Sequence, residues 1–378
     1  MIQTPGAYVN DPRTEDFYYM AVPKFDNSEM EIKRVITDFF GQETRIYTAP
    51  CNMQEAIRAL LRKEPYWMMN GMYQSMFSPR LNPDTVARAQ VFETQMLEEK
   101  DYGGKDMFGI EWEYVPAAWG SMVRPGNPFA TDANELMEKL VWPDPDDWDW
   151  EGSAKANADF FQPGECYVMW FMNGWYERLI SMLEFENAVY ALYDEDQKDA
   201  VHAFFDRLSD LYIKIFDRYI TYFPRVDGYC IHDDWGSQKE TFFSPALAEK
   251  MIVPYMRRVT DFLHSKGMIC ELHSCGMNMK QVPNFIKAGW DIWQGQPMND
   301  THALYEQYGD QIILGVYPDA FDVNAPEEVH RAAAREFVDK FMQPGKPCIL
   351  NFNDTSLWTL PFMDELYAYS RQRAAGQI

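Results

Sequence analysis

The feature that most constrains the fold is a regular alternation of short apolar runs and longer amphipathic segments in the C-terminal half. Five runs rich in β-branched and aromatic residues are typical of buried strands: VDGYCIHDD, MICELH, WDIWQG, QIILGVY and PCILNF. The segments between and after them have helical spacing. In residues 246–267, for example, apolar side chains recur every three or four positions: Leu247, Met251, Tyr255, Val259 and Phe262. This alternation predicts parallel βαβ units.

The N-terminal half is less regular, but it supplies the strands that a barrel needs. We predict strands near YWMMNG, MFGIEW and CYVMWF, and two or three helices over residues 174–223. Three strands and five make eight, which predicts a (β/α)₈ TIM barrel. We expect one barrel domain over residues 1–378, with an N-terminal extension over residues 1–65. A long loop insertion rich in proline and tryptophan covers residues 123–153.

Composition narrows the classes of function. Hydrophobic residues make up 47% of the chain, enough for a large core. With 58 acidic and 34 basic residues, the net charge of −24 repels phosphate backbones and anionic lipid, so we expect no nucleic-acid or membrane role. The first residues show no secretion signal, and the six cysteines are scattered. We therefore expect a cytoplasmic protein whose thiols are free or metal-bound.

Polar side chains gather where the predicted strands end, which is where barrel enzymes place their chemistry. In chain order these residues are His232, Asp233, Asp234, His273, Cys275, Gln294, Gln296, Tyr317, Asp319, Asn353 and Asp354. Metal ligands and acid–base groups are over-represented among them, which predicts an active site at this end.

His273 and Cys275 are the strongest candidate metal ligands. Residues two apart on an extended segment point the same way, and an imidazole with a thiolate suits Zn²⁺. The spacing alone is a weak motif, and a satisfied core histidine beside a buried cysteine is the alternative.

Two residues compete for a third ligand position. Cys348 is the softer donor, but it lies at the start of its strand, about 20 Å from the functional end. Asp354 follows the same strand at the correct end, so we favour Asp354 and interpret Cys348 as a buried core thiol.

These segments also resemble a known family. HDDWGSQKETFFSP, ELHSCGMNMKQVPNFIKAGWDIWQGQP, YGDQIILGVYPD and NGWYERLISMLEFENAVYALYDED are similar to the uroporphyrinogen decarboxylase-like superfamily, and most to its corrinoid-dependent methyltransferase branch, over about residues 105–370. The resemblance implies a (β/α)₈ barrel with zinc held by the His-x-Cys pair and a further cysteine after the last strand. Here Asp354 stands where the family usually has that cysteine.

The resemblance leads to a hypothesis for function. We expect methyl transfer from an O-, N- or S-methyl substrate to a corrinoid on a separate carrier protein, with Zn²⁺ on His273, Cys275 and Asp354. Asp233 or Asp234 would protonate the leaving group or orient the ligands, and Tyr317 and Asp319 are weaker catalytic candidates. The methionine- and aromatic-rich residues 65–83 favour a methoxylated aromatic donor, as for an O-demethylase component.

Other interpretations remain open. A decarboxylase of the uroporphyrinogen type would need an arginine-lined pocket, whereas Arg80 stands nearly alone in residues 65–83. A non-catalytic corrinoid- or tetrapyrrole-binding barrel is the second alternative. Each candidate also has a purely structural explanation. Residues 65–83 would pack in the core, Asp233 and Asp234 would cap a helix or a loop, and Tyr317 would pack at the barrel rim. Neither the methyl donor nor the oligomeric state follows from the sequence, which leaves a homodimer open.

Overall fold

The structure is a computed structural model that describes residues 22–37, 41, 43–116 and 120–378. The chain divides into two compact units. The first contains the described residues up to Gln74, with Gly164–Cys166 and Asp291–Ile378; the second contains Ser75–Pro163 and Tyr167–Trp290. Residues 1–21 of the predicted extension lie outside the described part of the chain.

The strands are short, as expected for a sheet connected by helices. They are β1 (Ile32–Thr37), β2 (Glu43–Tyr47), β3 (Gln74–Phe77), β4 (Gly104–Lys105), β5 (Glu111–Val115), β6 (Gly120–Val123), β7 (Cys166–Phe171), β8 (Gly228–His232), β9 (Ile269–His273), β10 (Ile292–Trp293), β11 (Ile313–Val316) and β12 (Cys348–Leu350).

The helices fill most of the sequence between them. They are α1 (Met53–Leu61), α2 (Pro83–Ala87), α3 (Ala133–Lys139), α4 (Trp150–Ala156), α5 (Trp175–Leu183), α6 (Phe185–Tyr193), α7 (Lys198–Tyr222), α8 (Pro245–Met251), α9 (Val253–Ser265), α10 (Val282–Lys287), α11 (Thr301–Tyr308), α12 (Glu327–Phe341) and α13 (Leu360–Ala374). Within the described residues, no helix combines the length and the apolar character needed to span a membrane.

Each unit contains parallel strands of the main sheet, in the order β9–β8–β7–β3 in the second unit and β12–β11–β10 in the first. In the second unit β7, β8 and β9 pair in parallel, and in the first unit β10, β11 and β12 do the same. Strands β8 and β9 are buried along their length, apart from partial exposure of the last residue of β9, as expected for parallel strands covered by helices. The predicted fold class, a TIM-like α/β barrel, is confirmed.

Two predicted barrel strands differ from the structure. The segment MFGIEW is not a barrel strand: Asp106 Oδ1 accepts the N–H groups of Phe108 and Ile110 to form a turn. The following β5 pairs antiparallel with β4 and β6. Its exposed Glu111 and Glu113 flank the buried Trp112, an alternation typical of a sheet with one solvated face.

The other misplaced strand is YWMMNG. It contributes only an isolated bridge between Asn70 and Leu350, and β3, four residues later, enters the sheet instead.

The predicted helix over residues 246–267 is two helices, α8 and α9. They meet at Ile252, because Pro254 has no N–H to donate and its ring would collide with a carbonyl of the preceding turn. Residues 174–223 form three helices, in line with the prediction, and the insertion at 123–153 contains α3 and the start of α4.

A buried ion cluster fixes α5 within the second unit. The guanidinium of Arg178 is fully buried and binds the carboxylates of Asp84 and Asp106, the latter at 2.7 Å. Asp106 Oδ2 also accepts the indole N–H of Trp112 at 3.0 Å. The cluster therefore ties α5 to α2 and to the turn before β5.

Replacing Arg178 with methionine should leave two buried carboxylates without their counter-charge. We expect Arg178→Met to lower the free energy of unfolding by about 3–5 kcal/mol, measured by urea denaturation. The matched control is Arg124→Met, which removes the exposed pair with Glu113 and should leave the free energy of unfolding almost unchanged, because water screens exposed charges. Equal losses in the two variants would contradict a stabilising role for the buried cluster.

Candidate functional site

Two histidines meet at the ends of neighbouring strands in the second unit. The parallel register of β8 and β9 pairs His232 directly with His273. Their imidazole rings stack with centroids 5.0 Å apart and planes at 14°. Trp170, at the end of β7, lies against His273 with ring centroids 5.2 Å apart. The strand register therefore brings two imidazoles and an indole together.

The loops that follow these strands add a carboxylate and a thiol. His273 Nε2 and Cys275 Sγ are 3.2 Å apart, so the two side chains face one point, as predicted. Asp234 Oδ1 lies 3.6 Å from His232 Nε2 and accepts the backbone N–H of Cys275 at 2.6 Å. The ligand atoms of His232, Asp234 and His273 all lie within 4.8 Å of one another. Donors of the types that bind transition metals thus converge here.

A backbone contact between two glycines shapes these loops. Gly276 has φ +92°, in the left-handed region that favours glycine. A Cβ on Gly276 would lie 2.1 Å from the carbonyl oxygen of Gly236, so no side chain fits there. The N–H of Met277 donates to Ser237 O at 2.7 Å alongside this contact. The glycine after His273 and Cys275 therefore lets the β8 and β9 loops pack backbone against backbone.

Burial and neighbouring charges set the ionisation of the site. Burial, helped by the adjacent His232, lowers the pKa of His273 to about 4. Burial opposes ionisation of Asp234, but both imidazoles and the Cys275 N–H outweigh it and hold its pKa below the ordinary value. Burial and the Asp234 carboxylate raise the pKa of the Cys275 thiol. At neutral pH the site therefore combines neutral His273 with a carboxylate.

The adjacent aspartate is directed elsewhere. Asp233 is fully buried; its Oδ1 accepts the Glu177 N–H at 2.8 Å and its Oδ2 accepts the Trp235 indole N–H at 2.9 Å. A Cβ on Gly174 would lie 2.6 Å from Asp233 Cβ, so this glycine makes room for the carboxylate. Burial raises the pKa of Asp233 to about 7, although these N–H donors oppose the rise. Asp233 therefore caps α5, because it accepts a backbone N–H of the first turn that has no partner within the helix.

Sequence reasoning gave no role to two residues of this site. His232 stands out in the sequence only as the end of a strand, although its position two residues before Asp234 is a usable signal. Arg88 follows α2 in no recognisable motif. Its Nη1 donates to Asn173 Oδ1 at 2.7 Å and to Glu177 Oε2 at 2.9 Å, and its positive charge acts on Asp234 and His273.

Two predicted catalytic residues belong to the first unit. The hydroxyl of Tyr317 donates to Gly295 O at 3.0 Å. Asp319 is exposed and pairs with Lys340 at 3.0 Å. Their predicted catalytic roles stay predictions.

The two candidates for a third metal ligand also lie in the first unit. Asp354 is exposed, and its Oδ1 accepts the Ser356 N–H at 2.9 Å. Cys348 begins β12 and is 2% exposed, with its Sγ 3.4 Å from Phe341 O, so the interpretation as a buried core thiol is confirmed. The choice of Asp354 as a ligand stays a prediction.

The family follows from comparison with known proteins. The sequence profile described as uroporphyrinogen decarboxylase (URO-D) matches residues 163–355, more than half of the chain. The chain belongs to the URO-D family. The matched region holds every residue of the His232–Cys275 cluster, so the site lies within the family domain.

One solved structure with a similar fold is a methyltransferase from Methanosarcina mazei. It shares 15% sequence identity with this URO-D-family chain, at a TM-score of 0.52, over 87% of this chain and 99% of that one. At this identity the likeness shows the fold alone. A search of curated protein sequences finds no match.

The Gly236–Gly276 contact yields a stability prediction. Gly276→Ala combines left-handed backbone with a collision against a carbonyl, so we expect it to lower the free energy of unfolding by about 3 kcal/mol or more. Gly109→Ala is the matched control, because Gly109 has φ +80° with nothing near a Cβ; it should cost about 1–2 kcal/mol. Chemical denaturation compares the two. Similar costs would show that the glycine contact does not constrain the loops.

Proposed function

We propose that this URO-D-family protein is a methyltransferase that moves a methyl group from an O-, N- or S-methyl compound to a corrinoid on a separate carrier protein. The observation that carries the proposal is the convergence of His273 Nε2 and Cys275 Sγ, 3.2 Å apart at the end of β9. The fold likeness to the methyltransferase from Methanosarcina mazei supports the reaction class.

The donor set fits a zinc ion. Imidazole nitrogen, thiolate sulfur and carboxylate oxygen are the ligands that Zn²⁺ takes in proteins. His273, with its pKa lowered to about 4, is neutral at pH 7, the form that binds metal. His232 is 8% exposed, and its Nδ1 has no hydrogen-bond partner in the part of the chain that the structure describes. Buried polar atoms normally have a hydrogen-bond partner, so a buried nitrogen without one indicates a site for an ion or ligand.

Asp233 and Asp234 would have different roles at this site. When bound, zinc would supply a Lewis acid that polarises the heteroatom carrying the methyl group. Asp234 holds the Cys275 loop in place through the Cys275 N–H and, with its lowered pKa, is ionised at neutral pH. An ionised carboxylate does not donate a proton, so Asp234 would help to position the zinc rather than protonate the leaving group. Asp233 has both oxygens engaged by the start of α5 and Trp235, so its role is to support the loop.

Features of the site bear on the methyl donor. Trp170 lies against His273 and offers an aromatic wall, which suits a methoxylated aromatic compound. Such a donor would make the protein an O-demethylase component. Arg88, anchored by Glu177 and Asn173, contributes a positive charge that would favour negative charge on the departing heteroatom.

A single variant tests the proposal. His273→Ala should abolish stoichiometric zinc binding and lower the rate of methyl transfer to a reduced corrinoid carrier about 100-fold or more, equivalent to about 2.7 kcal/mol. Zinc content by mass spectrometry and a screen of O-, N- and S-methyl donors measure the two effects.

The control variant is His202→Ala, a histidine of α7 whose Nδ1 contacts the Tyr255 hydroxyl at 2.8 Å; it should retain both properties. Full methyl transfer by His273→Ala would contradict the proposal. Decarboxylation of a porphyrinogen by the wild-type protein, with no methyl transfer from any donor, would favour the decarboxylase alternative instead.

A further inference from the structure

We propose that His232 and Asp234 complete the zinc site begun by His273 and Cys275, so that all four ligands come from the ends of β8 and β9. This inference deepens the proposed function and rests on it for the identity of the metal. It differs from the set predicted from the sequence, His273, Cys275 and Asp354.

The spacing of the donors supports this assignment. Ligands at about 2.0–2.3 Å from a tetrahedral zinc ion lie roughly 3.3–3.7 Å from one another. His273 Nε2 and Cys275 Sγ are 3.2 Å apart, and His232 Nε2 and Asp234 Oδ1 are 3.6 Å apart. Within about 0.1 Å, each pair is therefore spaced as two ligands of one zinc ion would be. One donor atom each of His232, Asp234 and His273 also lie within 4.8 Å of one another, which links the two pairs.

The strand register gives the two pairs a common direction. His232 and His273 are register partners on parallel strands, and their stacked rings project from the same side of the sheet. Asp234 and Cys275 each follow their histidine by two residues, so each strand repeats the same histidine-x-ligand arrangement. The Cys275 N–H, donated to Asp234 Oδ1, joins the two arrangements.

His232 also has a buried nitrogen that the protein leaves without a partner. Its side chain is 10% exposed; one ring nitrogen faces Asp234, and the other, Nδ1, has no hydrogen-bond partner among the described residues. A metal bound through Nε2, the nitrogen that faces Asp234, would make the ring a ligand and leave Nδ1 for an outer contact. This feature is specific to His232 and does not depend on the His273–Cys275 pair.

The assignment has a consequence for Asp354, which follows β12. Two imidazoles, a thiolate and a carboxylate already supply the four ligands of a closed zinc site. Asp354 is then not needed to hold the metal. Zinc can expand to five ligands, which leaves room for the heteroatom of a substrate.

X-ray absorption spectroscopy of the full-length protein loaded with one equivalent of Zn²⁺ counts the ligands directly. Imidazole rings give a distinct multiple-scattering signal. A sulfur ligand is recognised by its longer bond to zinc, about 2.3 Å against about 2.0–2.2 Å for nitrogen or oxygen. We expect two imidazoles and one sulfur in the wild type, and one imidazole in His232→Gln. A wild-type spectrum with one imidazole, or no stoichiometric zinc, would overturn the proposal. If His232→Gln fails to fold, the wild-type count still decides.

Matched aspartate variants test the oxygen ligand. Asp234→Asn should weaken zinc binding about 10-fold or more in a competition titration, a loss comparable to those at other metal-site carboxylates. Asp233→Asn, one residue away and directed at α5, should bind zinc within about threefold of wild type. Asp354→Asn should match the wild type in both affinity and spectrum. Loss of zinc in Asp354→Asn but not in Asp234→Asn would restore the ligand set predicted from the sequence.

The methyl-transfer assay keeps this inference separate from the proposed function. A wild-type protein whose zinc has two imidazole ligands, but which transfers no methyl group from any donor, would support the metal site and count against the methyltransferase. Methyl transfer that persists in a His232→Gln protein with wild-type zinc affinity would support the methyltransferase and overturn His232 as a ligand.

Discussion

The register between β8 and β9 is the constraint on which the candidate site depends. It sets His232 opposite His273, and because side chains in a strand alternate, a slip of one residue would turn one imidazole to the other face of the sheet. The loops that follow β8 and β9 stay side by side as well, because Gly276 packs directly on the backbone of Gly236. The donors of the site are therefore positioned largely by backbone geometry. A hydrogen bond from the Cys275 N–H to Asp234 Oδ1 ties the two loops together further.

Two neighbouring aspartates illustrate how location determines chemistry. Asp233 is buried against backbone and indole N–H donors, and burial raises its pKa to about 7. Asp234 faces two imidazoles, and their influence holds its pKa below the ordinary value. The sequence presents them as equivalent, yet Asp233 supports α5 and Asp234 faces two imidazoles. This division of roles accounts for the HDD element without assigning a catalytic proton to either residue.

The C-terminal strands, the parallel βαβ pattern and the pairing of His273 with Cys275 could be predicted from the sequence, because each depends on local periodicity. The errors arose where tertiary context decides. MFGIEW has the apolar content of a barrel strand, but Asp106 draws it into a turn through the N–H groups of Phe108 and Ile110. Pro254 divides a helix whose apolar stripe runs on without interruption. For His232, the sequence offers only its spacing to Asp234, because its alignment with His273 is fixed by the β8–β9 register, which no spacing rule contains.

The central claim is that a metal ion is bound at the ends of β8 and β9. The most direct measurement is an anomalous difference map from crystals of the zinc-loaded protein, recorded on both sides of the zinc absorption edge. The account predicts one strong peak within bonding distance of His273 Nε2 and Cys275 Sγ, with His232 and Asp234 around it. A zinc peak elsewhere in the molecule, or none at these four side chains, would contradict it.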